Sequence, residues 1–292
     1  MSKVPKSAFG PQATFETFRY QLVVDKTLPI NMFEKYETAE QVRADKNNIF
    51  QKVITDPAFA FQGGGADLTS KFLYSDGVMS YYRLGVKRTT TLYSSDLAPH
   101  NEDNYPNFII AFNNDPTVQK IAIQTNSAAF KDVNTVSNII QETLEEQLKL
   151  YNLSFYAEPI YDKQEFWQLI KQFPKRITQL TFDLISPNMA NITKNLKIDL
   201  KQLYEDTNTH KTKVELNADK ESYLEVKAES KFINSLVDYS ADGGGNISMR
   251  VAGVRKLLHT AQSPEEFNID KQLLDGEIDL EQMNALFKTI LL

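Results

Sequence analysis

The 292-residue chain contains no cysteine. That excludes disulfides, thiolate nucleophiles, Cys-ligated zinc and iron–sulfur clusters, and it fits a reducing compartment. Histidine is scarce, and His100, His210 and His259 are too far apart for metal-ligand spacing. No stretch reaches the roughly 20 apolar residues of a membrane helix. Lys3 and Lys6 have no apolar run behind them, so no signal peptide is expected. A cytoplasmic, soluble protein with no membrane association is the reading. Gly-Lys and Gly-x-Ser-x-Gly are absent, and neither Gly63-Gly64-Gly65 nor Gly243-Gly244-Gly245 continues into a dinucleotide fingerprint. Walker-type phosphate loops, nucleophile elbows and Rossmann sites are thereby excluded. Excess positive charge is lacking too. At a net charge of −6, any nucleic-acid contact must come from a local basic patch.

What is present suits a folded globule of one or two domains: 41% hydrophobic and 24% charged residues, with 18 Phe and 13 Tyr as rigid packing groups. Alternation predicts a strand over 14–24, and Thr38 with Gln41 predicts a capping box opening a helix over 39–55. Asp76-Gly77 reads as a type I′ hairpin turn between 72–74 and 78–87. A second hairpin joins 108–112 to 121–124, and the polar 94–107 segment reads as an exposed loop. Beyond a helix at 135–151, strands (154–161, 177–185, 247–254) alternate with helices (165–173, 196–206, 231–239), a hairpin pairs 214–217 with 223–227, and a helix closes the chain at 280–291. The expectation is an α+β fold with a hairpin-rich domain at 1–152 and an alternating strand/helix domain at 153–292.

Few residues suggest chemistry. Asp270, Asp275, Gly276, Glu277, Asp279 and Glu281 have the composition of a calcium loop. Gln272 and Leu274 stand where oxygen ligands belong, however, so a solvated turn is expected. Asp219 with Glu225-Val226-Lys227 has the acid…acid-x-Lys form of a metal-dependent nuclease, in which carboxylates hold Mg²⁺ and the lysine stabilises charge. A strand over 223–227 would put Glu225 and Lys227 on one face. No other cofactor is suggested. Three stretches are basic. In the first, Tyr81, Arg83 and Lys87 share a strand face, with Arg88 adjoining, and could stack a base or track phosphates. The second holds Arg250, Arg255 and Lys256. The third holds Lys171, Lys175 and Arg176, followed by Lys194, Lys197 and Lys201 at helical spacing.

Phe108-Ile109-Ile110 followed by an Asp-Pro-Thr turn is one of several patterns shared with a known family. Others are Ala157-Glu158-Pro159-Ile160, Phe182-Asp183-Leu184-Ile185-Ser186-Pro187, the Lys194/Lys197/Lys201 helix, and Val214 through Glu221. Over about half the chain, roughly 107–244, the sequence resembles the RexA phage-exclusion family of lambda-type prophages. The resemblance implies a homodimer that binds double-stranded DNA without base specificity in anti-phage defence, and it brings no catalytic residues. A non-enzymatic nucleic-acid-binding protein is therefore the expected function. A Mg²⁺-dependent nuclease, or a module binding a phage or host protein, are the alternatives.

Overall fold

A computed structural model describes residues 11–26, 36–186, 194–260, 264–274 and 278–291, with side chains 194–199 outside that description. The fold is α+β. The front of the chain gives β1 (Gln12–Val24), α1 (Ala39–Ile54), β2 (Leu68–Ser75), β3 (Met79–Val86), β4 (Arg88–Tyr93), β5 (Pro99–Asn104), β6 (Asn107–Asn113), β7 (Lys120–Gln124) and α2 (Val133–Leu148). Then follow β8 (Leu153–Pro159), α3 (Lys163–Gln172), β9 (Ile177–Ile185), α4 (Lys194–Thr207), β10 (Lys211–Asn217) and α5 (Lys231–Tyr239). The chain closes with β11 (Gly245–Val251), β12 (Leu258–His259), β13 (Glu266–Asp270) and α6 (Leu280–Ile290). No helix among the described residues is long and apolar enough to cross a membrane.

Local chemistry accounts for several boundaries. The capping box at α1 forms: Gln41 N–H donates to Thr38 Oγ1 (3.2 Å), and Thr38 N–H donates to Gln41 Oε1 (3.1 Å). Asp162, Ser230 and Asp279 cap α3, α5 and α6 by accepting the Gln164, Ile233 and Gln282 N–H groups on their side-chain oxygens. At the β2–β3 turn the Asp76 carboxylate accepts the Val78 and Met79 N–H groups. Positive φ falls on Gly77 alone (+91°), with Asp76 and Met79 closing the loop. That is the Gly-first pattern of a type II′ turn rather than the expected I′, which needs two successive positive φ values.

Two other expectations are corrected. The 94–107 segment is not a loop throughout, because β4 and β5 form a separate two-stranded ladder from Arg88↔Asn104 to Tyr93↔Pro99. Residues 223–227 form no strand either. β10 instead pairs antiparallel with β9, Lys211↔Ile185 through Asn217↔Gln179.

The chain divides into two compact units that are interleaved in sequence. The first comprises Met1–Glu16, Gln51–Leu144 and Glu266–Leu292, and the second Thr17–Phe50 and Glu145–Glu265. In the first, the strand order is β13-β1-β7-β6-β3-β2. Met79, Tyr81, Ile109, Ala111 and Ala122 on one sheet face pack with Met283, Phe287 and Leu291 of the C-terminal segment. On the opposite face Tyr82 meets the Phe59 and Phe61 rings edge-on. Burial on both faces explains the near-continuous apolar run of β6.

In the second unit, Phe18–Val24 of β1 pair with β8, and Tyr20, Phe50 and Phe155 stack. A four-stranded antiparallel sheet runs β10-β9-β11-β12. Its apolar face (Leu180, Phe182, Leu184, Ile247, Met249) packs against Phe166 of α3 and Ile233, Leu236 and Val237 of α5. Gly243 (φ +77°) and Gly245 lie in the π-turn and strand start between α5 and β11. A Cβ on Gly243 would sit 2.5 Å from Arg19 Cβ, and one on Gly245 2.1 Å from the Asp183 carbonyl oxygen. The second triplet is thus a close backbone crossing.

Candidate nucleic-acid interface

The first basic stretch is built into the first unit. Tyr81 does share a face with Arg83, but that face lies beneath α6. Tyr81 is buried, donates to Asn284 Oδ1 (3.0 Å), and meets the Phe287 ring edge-on. Burial raises its phenol pKa far above the ordinary range. It is a core residue, not an exposed stacking platform. Arg83 is half-buried and donates to the Leu274 carbonyl (2.7 Å) and Asn107 Oδ1 (3.3 Å). Lys87 pairs with Asp103 at 2.7 Å. Arg88 donates to the Ala129 carbonyl, with its guanidinium over the Phe130 ring. Each cation already has a structural partner.

The other stretches belong to the second unit, and part of them assembles. The loop before β9 and the loop after β11 are fastened together through Arg176. Its carbonyl accepts the Ala252 N–H (2.8 Å), and its Nε (3.1 Å) and Nη2 (2.7 Å) donate to the Ala252 carbonyl. Because β9 and β11 are antiparallel neighbours, Arg250 stands opposite Gln179 and donates from Nε to its amide oxygen (2.9 Å). Lys175, Arg176 and Arg250 therefore share one end of the sheet, with Arg255 and Lys256 following directly in the loop. All five are exposed, and none forms an ion pair among the described residues.

On the β10 side of this end, the Ala218 and Leu224 N–H groups donate to the Thr178 and Ile177 carbonyls, which positions a turn containing Asp219, Lys220 and Glu221. Cations thus gather on the β11 flank and mixed charges on the β10 flank. Lys201 pairs with Glu205 at 3.7 Å. Lys194 and Lys197 lie on α4, but their side chains fall outside the described residues.

The nuclease arrangement loses its geometric premise. Glu225 and Lys227 lie in an irregular segment and pair only loosely with each other (3.8 Å), both strongly exposed. Asp219 is exposed in the turn that its carbonyl closes by accepting Ser222 N–H. Around the weighed calcium loop, Asp270 and Asp279 act as helix caps, while 275–277 lie outside the described residues. His100 lies 3.7 Å from Glu102, burial lowers the His210 pKa, and His259 Nδ1 is 3.5 Å from the Asn246 amide.

Sequence reading missed the fastening role of Arg176, which depends on a residue 76 positions away. It also missed a polar seam where Arg19 and Glu158 stand opposite each other in the β1–β8 ladder. Burial pushes the Glu158 carboxyl up to about 7; nearby Lys211 opposes the shift and Asp183 adds to it. Comparisons with protein-family models, curated proteins and solved structures found no match to this chain.

Proposed function

We propose that the protein is a non-enzymatic binder of polynucleotide phosphates, double-stranded DNA first among them. Its contact surface is the sheet end formed by Lys175, Arg176, Arg250, Arg255 and Lys256. The observation that carries this reading is the Arg176–Ala252 fastening, which gathers cations from two distant segments without ion-pairing them. Such an arrangement suits phosphate contacts, which position a duplex without reading bases. It also answers the adverse net charge, because a local cluster acts within a Debye length of about 8 Å. A role in phage exclusion enters only through the family resemblance.

Electrophoretic shift or fluorescence anisotropy on duplex DNA at graded salt tests the proposal. With Arg176 occupied as the fastener, four cations remain for phosphate. The logarithmic salt slope should then be about −3.6, from about 0.9 counterion per contact. Combined Arg250→Ala, Arg255→Ala and Lys256→Ala should lower its magnitude by about 3 and leave thermal stability unchanged. Lys175 has φ +57°, so Lys175→Gly relieves a left-handed backbone while deleting one charge. It should bind more weakly and be more stable by about 1 kcal/mol. No binding to duplex or single strands at low salt would overturn the reading.

A further inference from the structure

The β4–β5 ladder continues the β3–β6 hairpin beyond its neighbours. β6 faces β3 from Met79↔Asn113 to Gly85↔Asn107, after which Arg88↔Asn104 opens the next ladder. β2 ends its pairing at Leu68↔Val86 and does not follow. Every residue of β4 and β5 is exposed. An isolated two-stranded hairpin is marginal in water. Here it also carries Leu92, Tyr93 and Leu97 near its tip at 41%, 68% and 78% exposure.

Its two edges are unequal. Ser94 N–H donates to the Ala98 carbonyl (3.1 Å), in the same register as the ladder. The hydrogen-bonded pairs of the ladder are therefore Leu92–His100, Thr90–Glu102 and Arg88–Asn104, which alternate with open pairs. Thr89, Thr91 and Tyr93 on β4 consequently turn their N–H and C=O groups outward, as do Pro99, Asn101 and Asp103 on β5. Pro99 has no N–H and Asp103 carries charge, both of which blunt a strand edge. The outward edge of β4 has neither safeguard. Its residues Thr89-Thr90-Thr91-Leu92-Tyr93 are uncharged and mostly β-favouring.

We infer that the outer edge of β4 is a self-association edge, and that its occupant is β4 of a second copy of this chain. A two-fold axis perpendicular to the ribbon keeps each side chain on its own face, so opposing residues share parity. Centred on Thr91, it sets Thr91 against the partner's Thr91, Thr90 against the partner's Leu92, and Thr89 against the partner's Tyr93. Every cross-strand pair is uncharged, and the outward groups of Thr89, Thr91 and Tyr93 make about six backbone hydrogen bonds. A four-stranded sheet β5-β4-β4-β5 results, with blunted edges outside. A nucleic-acid occupant fits less well, since the ribbon from Arg88 to Asn104 carries Asp96, Glu102 and Asp103 against one arginine.

Sedimentation equilibrium on the full chain tests this independently of DNA binding. The expected mass is twice 33.3 kDa. Thr91→Pro removes an outward N–H without touching the hairpin's own ladder, and Thr91→Lys sets two cations face to face across the axis. Both should give folded monomers whose melting temperature no longer depends on protein concentration, while Asn101→Lys on the opposite edge should stay dimeric. A wild-type monomer at high micromolar concentration, dimers that persist in both Thr91 variants, or loss of the dimer in Asn101→Lys would each overturn the assignment.

Discussion

Glu16 and Glu158, one in each unit, both have carboxyl pKa values pushed up to about 7. For Glu16 burial acts first, followed by Glu266 directly opposite in the β1–β13 ladder and by Asp132. A folded-state pKa above the unfolded value means that the protonated form stabilises the fold. This contribution is complete below about 4.5 and is lost as pH rises through about 7. Stability should therefore decline between pH 5 and 8. Both side chains are only half-buried, so solvent screening holds the effect to about 1–2 kcal/mol. The double variant Glu16→Gln/Glu158→Gln should flatten the dependence in urea titrations. An unchanged slope with pH would refute the assignment. At the crossing below α5, Gly245→Ala should cost about 1–3 kcal/mol or more through overpacking against the Asp183 backbone, seen as a lower urea midpoint at constant m.

At the scale of elements, the β2–β3 turn and α6 are joined through one carboxylate. Asp76 receives Asn284 Nδ2 (2.9 Å) and Lys288 Nζ (2.5 Å) besides its two turn N–H groups. Burial works against its ionisation, but Lys288, Asn284 and the backbone donors outweigh it and hold the pKa below the carboxylate range. Its stabilising contribution is present at neutral pH and fades as the solution is acidified past about 4. Asp76→Ala should cost about 2 kcal/mol and speed amide exchange across 280–290 ahead of the central strands.

Elements set by neighbouring residues were legible in the sequence. The Thr38/Gln41 box, the Ile177–Ile185 strand and the Lys231–Tyr239 helix appear where spacing puts them. The β4–β5 ribbon was misread because the 94–107 segment, with Asp96, Glu102 and Asp103 and prolines at 99 and 106, has the composition of a loop. Tyr81 was misread for another reason: alternation separates two faces but does not say which is wet. The helix that covers this one comes 203 residues later. Arg176 was invisible as a fastener on the same ground, since its partner Ala252 is remote in sequence.

For the whole molecule, interleaving sets how the chain can be cut. A fragment 145–292 would lack Phe18–Val24, the strand that β8 pairs with, and would leave Phe155 without Tyr20 and Phe50. Such a fragment should bind hydrophobic dyes and melt without a cooperative transition. A sharp calorimetric peak from it would contradict the described pairing.

The fastening of Ala252 by Arg176 is completed during folding. A ligand reaching that corner meets side chains whose anchoring backbone is already rigid, so little conformational freedom remains to be surrendered on association. On the proposed duplex contact, calorimetry should accordingly show a small heat-capacity change, without the signature of a loop that orders around its guest.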